Sequence, residues 1–352
     1  MKLLICTQAV DENDPILGFF CRWIGELATR FERVEIICLR EGAHHLPPNV
    51  RIHTLGLTGT LARAYRLKHL AWELRMDYDV VFVHMNPEYL AVAGGLWKFL
   101  GKKVTFWYNH PAKNFRLDFG ALFADRIFYT SPYAATARMR SAEQMPVGID
   151  TELFKPANAP RDRRALYLQG RVMPSKHIEL ALAALRILRG KVPGVTLDIV
   201  GPQDAQYVAE LTTRFRDLIE SGVVQFLGPT KNRETPALDA AHAIALNLAA
   251  AGHFDKSAFE AMACETPVVV TSEAFAGIVP DEWIVREGGA DALASKLERL
   301  LALPESEYRA LGAAERASVV KKHSLVALID ALVKELYPAS MPLTNAYAKE
   351  YY

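Results

Sequence analysis

Short apolar runs alternate with amphipathic helical patterns through the first part of the chain. Apolar residues recur at helical spacing over 19–31, over 61–75 and in a segment that ends near Leu100. The apolar runs predict β-strands at 3–7, 34–39, 50–55, 80–84, 104–108 and 126–130. Strands that alternate with helices in this way form βαβ units and a parallel sheet.

The segment IDTELFKPANAPRDRR (149–164) interrupts the alternation with prolines and clustered charge, which predicts a linker. A second alternating set follows, with helices from about Lys176 and Asp204 and strands at 165–170, 195–201, 223–228, 243–248 and 266–271. The chain ends in helical periodicity over 324–337 and an irregular stretch over 338–352. We therefore expect an α/β protein with two parallel-sheet domains, over 1–155 and 156–325. A C-terminal helix and tail over 326–352 could return to the first domain.

The composition is that of a globular protein with a large core, since 51% of the 352 residues are hydrophobic and 23% are charged. The 41 basic and 40 acidic residues leave a net charge of +1, and no domain is basic, so nucleic-acid binding is not expected. Four cysteines without CxxC spacing indicate neither a disulfide framework nor a thiolate metal site.

Targeting signals are also missing from the sequence. No run approaches the ~18 uncharged apolar residues of a membrane-spanning helix. Acidic residues follow MKLLICTQAV directly, which indicates a first strand rather than a signal peptide. These features predict a cytoplasmic protein that could contact the inner face of a membrane peripherally.

Several enzyme signatures are absent, namely GxGxxG, GxxxxGK[ST], HExxH and GxSxG. Their absence weakens the dehydrogenase, kinase, metalloprotease and hydrolase interpretations. Asp77-Tyr78-Asp79 has the DxD spacing of a divalent-metal site. It precedes the strand at 80–84, however, and ligands of parallel sheets bind beyond the carboxyl ends of the strands. Acidic residues at an exposed strand start explain it better, and we expect no metal.

The stretch YLQGRVMPSKHIELALAAL (167–185) carries the first candidate site. A strand ends at Gly170, which allows close approach of a ligand to the backbone. Arg171 can bind two phosphate oxygens at once, and Lys176, at the predicted helix start, adds a second positive charge. The helix N-terminus would add a partial positive charge, so the stretch predicts a diphosphate site. A solvated basic loop explains the same residues equally well.

A second candidate lies in GHFDKSAFEAMACETPVVV (252–270). Asp255 or Ser257 would cap a helix whose first turn carries Lys256 and Glu260. A carboxylate on this helix could accept hydrogen bonds from sugar or ribose hydroxyls. The alternative is a surface carboxylate that stabilises the helix N-terminus.

GRVMPSK and FEAMACETPVVV, in this order, resemble the retaining glycosyltransferases of family four, which have the GT-B fold. LDIVG (197–201), VVQFLG (223–228) and PVGIDTELFKP (146–156) also match in order and spacing, so the resemblance covers nearly the whole chain. WYNHPAK (107–113) with DRIFYTSP (125–132) is similar to a subgroup that acts in cell-envelope polysaccharide synthesis.

The resemblance implies two Rossmann-like domains facing a central cleft and a retaining, metal-independent hexosyltransferase without a cofactor. Its donor would be a UDP- or GDP-linked sugar on the C-terminal domain, and its acceptor a glycan or lipid-linked molecule on the N-terminal domain. Arg171 and Lys176, with Gly170, would bind the donor diphosphate.

The resemblance also assigns roles to four further residues. Glu260 would hold the ribose, and Gly201 would belong to the nucleotide loop. Gly18, after the first strand, would allow the backbone to approach the phosphates and the acceptor. His110 would be the active-site histidine, although a loop histidine without a role is the alternative. His84, also at a strand end, is ambiguous in the same way.

Two positions depart from the family pattern. The family has a pair of glutamates, of which the second is Glu260 and the first would fall on Gly252. Asp255 and Lys256 could take over the sugar contacts of the missing carboxylate. Glu265 stands where the family has glycine, and a left-handed conformation there would cost about 1 kcal/mol.

Other interpretations remain open at this stage. A nucleotide-sugar epimerase of the same fold would share the diphosphate site, and a non-catalytic partner subunit would explain Gly252 and Glu265. The basic, Trp-containing segment LARAYRLKHLAWELR (61–75) could rest on anionic lipid, or its apolar stripe could simply pack on the sheet.

Overall fold

The computed structural model describes residues 1–56, 59–157 and 160–337. The predicted irregular tail over 338–352 lies outside the described residues. The described chain divides into two compact units, of which one holds residues from 1–148 together with 326–337 and the other holds residues from 149–325.

The first unit is built on a parallel sheet in the order β3-β2-β1-β4-β5-β6-β7. Its strands are β1 Lys2–Val10, β2 Arg33–Glu41, β3 Val50–Thr54, β4 Val80–His84, β5 Lys103–Trp107, β6 Arg126–Tyr129 and β7 Ala142–Gln144. The helices between them are α1 Gly18–Ala28, α2 Thr60–Glu73, α3 Pro87–Phe99 and α4 Phe115–Ala121. All residues of β4 are buried, as expected for a central parallel strand covered on both faces.

The second unit contains a parallel sheet in the order β10-β9-β8-β11-β12. Its strands are β8 Asp162–Gln169, β9 Thr196–Val200, β10 Val224–Gly228, β11 His242–Asn247 and β12 Val268–Val270. Its helices are α5 Ile178–Leu188, α6 Ala205–Arg214, α7 Arg216–Glu220, α8 Thr235–Ala241, α9 Lys256–Ala263, α10 Gly289–Leu301 and α11 Glu305–Lys322.

The last helix, α12 Leu325–Leu336, packs within the first unit. Arg30 and Asp330 form an ion pair of 3.0 Å, and Arg126 and Glu335 form one of 3.1 Å. The hydroxyl of Tyr337 donates a hydrogen bond of 2.7 Å to the carbonyl of Arg30.

Each strand expected from an apolar run is present, with bounds that shift by a few residues, but two predicted helices and the predicted linker differ from the structure. The helix expected from Lys176 begins at Ile178, because Pro174–Lys176 forms a 3-10 turn and His177 has a left-handed φ of 47°. The helix expected from Asp204 is two helices, broken at Phe215. The predicted linker includes the start of β8, where the Arg163 guanidinium stacks 3.5 Å from the centre of the Tyr308 ring.

The cysteines and the DxD motif have structural surroundings in the first and second units. All four cysteines are buried and unpaired. Asp77 pairs with Arg33, and Asp79 accepts a hydrogen bond of 2.8 Å from the backbone amide of Lys2, so both acidic groups of the DxD motif are engaged at the strand start. Across 1–56, 59–157 and 160–337, no cluster of three His, Cys, Asp or Glu could hold a metal ion, and no helix could span a membrane.

Candidate functional site

The candidate site lies at the carboxyl edge of the second sheet. Strands β8, β9 and β11 end there at Gln169, Val200 and Asn247. Because the strands are parallel, the loops that follow them meet at one edge, which is where ligands of such sheets bind. These loops carry the predicted residues Gly170, Arg171, Lys176, Gly201 and Asp255.

Gly170 and Gly201 hold two of the loops in direct backbone contact. The amide of Gly170 donates a hydrogen bond of 2.9 Å to the carbonyl of Val200. A Cβ on Gly201 would lie only 1.9 Å from the carbonyl oxygen of Gly170. The φ angles are 152° for Gly170 and 142° for Gly201, which are conformations that favour glycine. Position 201 therefore requires glycine because of its contact with Gly170, whether or not a ligand binds.

The loop carrying Arg171 is anchored on either side of this side chain. The amide of Val172 donates to the carbonyl of Pro202 at 2.8 Å, and the amide of Asp204 donates to the carbonyl of Val172 at 3.0 Å. Val172 is fully buried, whereas Arg171 is exposed. The local sequence thus fixes the backbone and leaves the guanidinium in solvent, where it can bind an anion.

Lys176 extends over the Gly170 turn, where its Cε lies 3.5 Å from the position of a Cβ on that glycine. Its Nζ forms an ion pair with Asp255 Oδ2. The same oxygen accepts a hydrogen bond of 3.1 Å from Asn247 Nδ2. Loops that are distant in sequence therefore bring together one cation, one carboxylate and one amide.

Asp255 occupies the N-cap position of α9, but its side chain makes no capping hydrogen bond, and Ser257 lies inside the helix as its second residue. The prediction that Asp255 or Ser257 caps this helix is therefore wrong. The physical reason is competition, because the carboxylate is engaged by Lys176 and Asn247 instead.

Glu260 and Lys256 lie one turn apart on α9. Glu260 is only 5% exposed, which excludes the interpretation as a surface carboxylate. Burial raises the pKa of Glu260, while Lys256 and a 3.4 Å hydrogen bond from Asn232 Nδ2 oppose that shift. Burial lowers the pKa of the half-buried Lys256 to about 8 despite the attraction of Glu260 and Asp150.

Two polar residues of this region were not predicted. Asp239 is fully buried, and its pKa is raised well above the usual range, first by burial and then by the nearby Glu260. Asn247 is 5% exposed, and within the described part of the chain its Oδ1 has no hydrogen-bond partner. Asn247 borders a small cavity together with Tyr167, Gln169, Ala245, Leu246, Ser257 and Ala258. The polar residue that ends the apolar run AIALN (243–247) is the signal that could have identified it.

The backbone at Gly252 shows that more than a carboxylate separates this position from the glutamate of the family pattern. Gly252 is buried and has a φ of 86°. A side chain at this position would adopt a strained backbone conformation. The local backbone is therefore suited to glycine. Glu265 has a φ of 58°, so its backbone is in the left-handed conformation that favours glycine.

The predicted residues of the first unit occupy different environments. His110 is exposed in the loop after β5, where its Nδ1 accepts a hydrogen bond of 2.9 Å from the amide of Ala112. This bond requires an unprotonated Nδ1, so the neutral ring carries its proton on Nε2. Gly18 begins α1, and a Cβ there would lie 2.8 Å from the carbonyl oxygen of Glu12. His84 is a core residue, stacked on Phe20 at 4.0 Å.

Solved structures share the architecture of both units. HepE of Anabaena in complex with UDP and glucose has a TM-score of 0.77 at 19% identity, covering 96% of this chain and 99% of its own. Sucrose-phosphate synthase of Thermosynechococcus elongatus has a TM-score of 0.76 at 20% identity, covering 95% and 98%. The lipopolysaccharide outer core galactosyltransferase WaaB has a TM-score of 0.66 at 15% identity, covering 94% and 98%. The prediction of a GT-B fold is confirmed.

At the level of sequence, residues 163–303 match the family profile of the glycosyl transferases group 1. The match covers most of the second unit, including Arg171, Lys176 and Glu260. No curated protein matches the chain significantly.

Proposed function

We propose that this protein is a glycosyltransferase that moves a sugar from a nucleoside-diphosphate donor to a saccharide or lipid-linked acceptor. The observation that carries the proposal is the site after β8, where Arg171 and Lys176 lie on a glycine-lined turn. The match to the glycosyl transferases group 1 over this region supports it. UDP in the HepE complexes supports a nucleotide-linked donor, and GDP remains the alternative base.

Cleavage of a sugar–diphosphate bond leaves negative charge on the departing phosphate. Lys176 and Arg171 stabilise that charge in our proposal, without a metal ion or a cofactor. Loss of one such preorganised donor typically costs about 3–4 kcal/mol of barrier stabilisation, or about 100- to 1000-fold in rate. Glu260 accepts hydrogen bonds from the ribose hydroxyls, and Gly170 allows the backbone to approach the phosphates. We further propose retention of configuration.

The first domain binds the acceptor in this account. It contains a cavity of about 480 Å³ beside α2 and α3, lined by apolar residues that include Leu67, Tyr89 and Val92, by Arg63, and by Arg116, which pairs with Glu88 at 3.0 Å. An apolar wall with charged groups of both signs at its edge suits an acceptor that has both an apolar and a polar part. His110 presents an Nε2–H in its neutral form and therefore donates a hydrogen bond to a sugar hydroxyl.

Peripheral membrane contact is part of the proposal. On α2, Leu61, Tyr65 and Trp72 are exposed beside basic residues of the same helix. Amphipathic helices of this kind lie in the lipid interface, and basic residues add attraction to anionic lipid. The galactosyltransferase WaaB is a lipopolysaccharide enzyme, which supports a role for this chain in the cell envelope.

The experiment is a product analysis with UDP- and GDP-sugars, with and without saccharide and lipid-linked acceptors. We expect acceptor-dependent release of the nucleoside diphosphate, and a new glycosidic bond whose anomeric configuration matches that of the donor. Lys176→Ala should lower turnover about 100- to 1000-fold. Lys191→Ala is the matched control, because Lys191 is an exposed lysine paired with Glu298. Conversion of the donor sugar without acceptor would favour the epimerase, and nucleotide binding without any turnover would favour the partner subunit.

A further inference from the structure

Of the two cations assigned to the donor phosphates, Lys176 is already neutralised by a carboxylate of the protein itself. Lys176 Nζ pairs with Asp255 Oδ2, and Asn247 Nδ2 donates to the same oxygen at 3.1 Å. The pair is largely shielded from solvent, since the side chain of Lys176 is 15% exposed and that of Asp255 is 23% exposed. No ion pair of Arg171 occurs among the residues that the structure describes.

The placement of Asp255 is not a by-product of helix capping. In the same domain, Asp204 at the N-cap of α6 accepts a hydrogen bond of 3.0 Å from the amide of Tyr207. Such a bond is worth about 1 kcal/mol. Asp255 holds the same position on α9 without a capping bond. Its carboxylate points to Lys176 instead, which indicates that this ion pair outweighs the capping interaction.

Asn247 supplies a second interaction at this point. Its side chain is nine-tenths buried, and its Nδ2 donates to the carboxylate oxygen of Asp255 that pairs with Lys176. A ligand that displaces Asp255 would gain both the ammonium of Lys176 and the amide of Asn247. The carboxylate thus occupies the interactions that a donor phosphate would use.

We propose that Asp255 is an internal counter-anion that the donor diphosphate must displace from Lys176, so that Asp255 sets the affinity for the donor. This inference rests on the proposed function. Two anions that pair closely with one ammonium repel each other. The ion pair between Lys176 and Asp255 must therefore break when a phosphate binds Lys176. The chain therefore binds its donor more weakly than Lys176 and Arg171 alone would allow.

This role predicts the opposite result from a role in sugar recognition. If Asp255 bound a hydroxyl of the donor sugar, its removal would weaken UDP-sugar binding and leave UDP binding unchanged. A counter-anion instead weakens all ligands that carry the diphosphate. Its removal therefore strengthens the binding of UDP, UDP-sugar and inorganic pyrophosphate together.

The test is calorimetric titration of UDP and inorganic pyrophosphate into the full chain and into Asp255→Asn. We expect about tenfold tighter binding of both ligands, a gain that corresponds to about 1.4 kcal/mol. Asp291→Asn is the matched control, because it removes one exposed carboxylate from the first turn of α10 in the same domain. Its affinities should equal those of the wild type. Circular dichroism confirms that each variant is folded.

Two further variants separate this inference from the proposed function. Lys176→Ala should lose UDP binding, and Lys176→Ala with Asp255→Asn should not regain it, because the gain requires the lysine. UDP binding by the wild type with equal or weaker binding by Asp255→Asn would overturn the inference and leave the proposed function standing. Absence of nucleotide binding in every variant would overturn both.

Discussion

Gly201→Ala tests whether the backbone contact between β8 and β9 supports the site. The new Cβ would lie 1.9 Å from the carbonyl oxygen of Gly170, whereas carbon–oxygen contacts ordinarily begin at about 3.3 Å. The strands must separate or the Gly170 turn must move. Overpacking typically costs about 1–3 kcal/mol, and a φ of 142° adds about 1–3 kcal/mol for a residue other than glycine. We therefore expect a loss of about 2–6 kcal/mol in the free energy of unfolding.

Gly228→Ala is the matched control for this prediction. Gly228 ends the neighbouring strand β10 with a φ of 76°, and nothing lies within 4 Å of its Cβ position. The free energy of unfolding of Gly228→Ala should fall only by the cost of placing alanine in a left-handed conformation, about 1–2 kcal/mol. Denaturant titration followed by circular dichroism measures the difference, and calorimetry measures UDP affinity. Gly201→Ala should also weaken UDP binding, because Arg171 follows the displaced turn. Equal losses of stability in both variants would show that the close contact between Gly201 and Gly170 is not what makes glycine necessary.

Three further predictions concern stability and membrane contact. Glu265→Gly should stabilise the fold by about 0.5–1 kcal/mol in denaturant titration, because a φ of 58° favours glycine; no gain would contradict this. Burial lowers the pKa of His323 to about 4, so the unfolded chain binds a proton that the folded chain excludes, and stability should fall as the pH falls from about 6.5 to 4. His323→Gln should weaken this dependence, and an unchanged pH profile would argue against it. Replacement of Arg63, Arg66 and Lys68 by glutamate should reduce flotation with anionic liposomes, because it reverses the charge of α2. Flotation equal to that of the wild type would contradict the proposed membrane contact.

The strands were predictable because burial of parallel strands requires continuous apolar runs. VVFVH coincides with β4, and AIALN lies within β11. The boundary at Lys176 was not predictable from periodicity, because the left-handed His177 separates it from α5 without changing the pattern of apolar residues. Residues 142–144, which form β7, are too short and too polar to mark a strand.

The site was predictable where one residue type carries the chemistry. Arg171, Lys176 and Glu260 stand out by charge and by position in their motifs. The partners of these residues were not predictable, since Asp255 reaches Lys176 only through the approach of two loops that are distant in sequence. Burial of Asp239 was not predictable for the same reason. The sequence predicts an exposed aspartate in a short helix, and only tertiary packing buries this residue near Glu260.

Calorimetric titration of UDP, GDP and ADP into the full chain is the decisive measurement for the proposed donor site. Arg171→Ala and Lys176→Ala are the informative variants, with Lys191→Ala as the control. The account predicts that one nucleotide binds in preference to the others and that both informative variants lose most of that affinity. Nucleotide binding that survives in both variants would contradict the assignment of the site. No binding of any nucleotide to the wild type would contradict the proposed function.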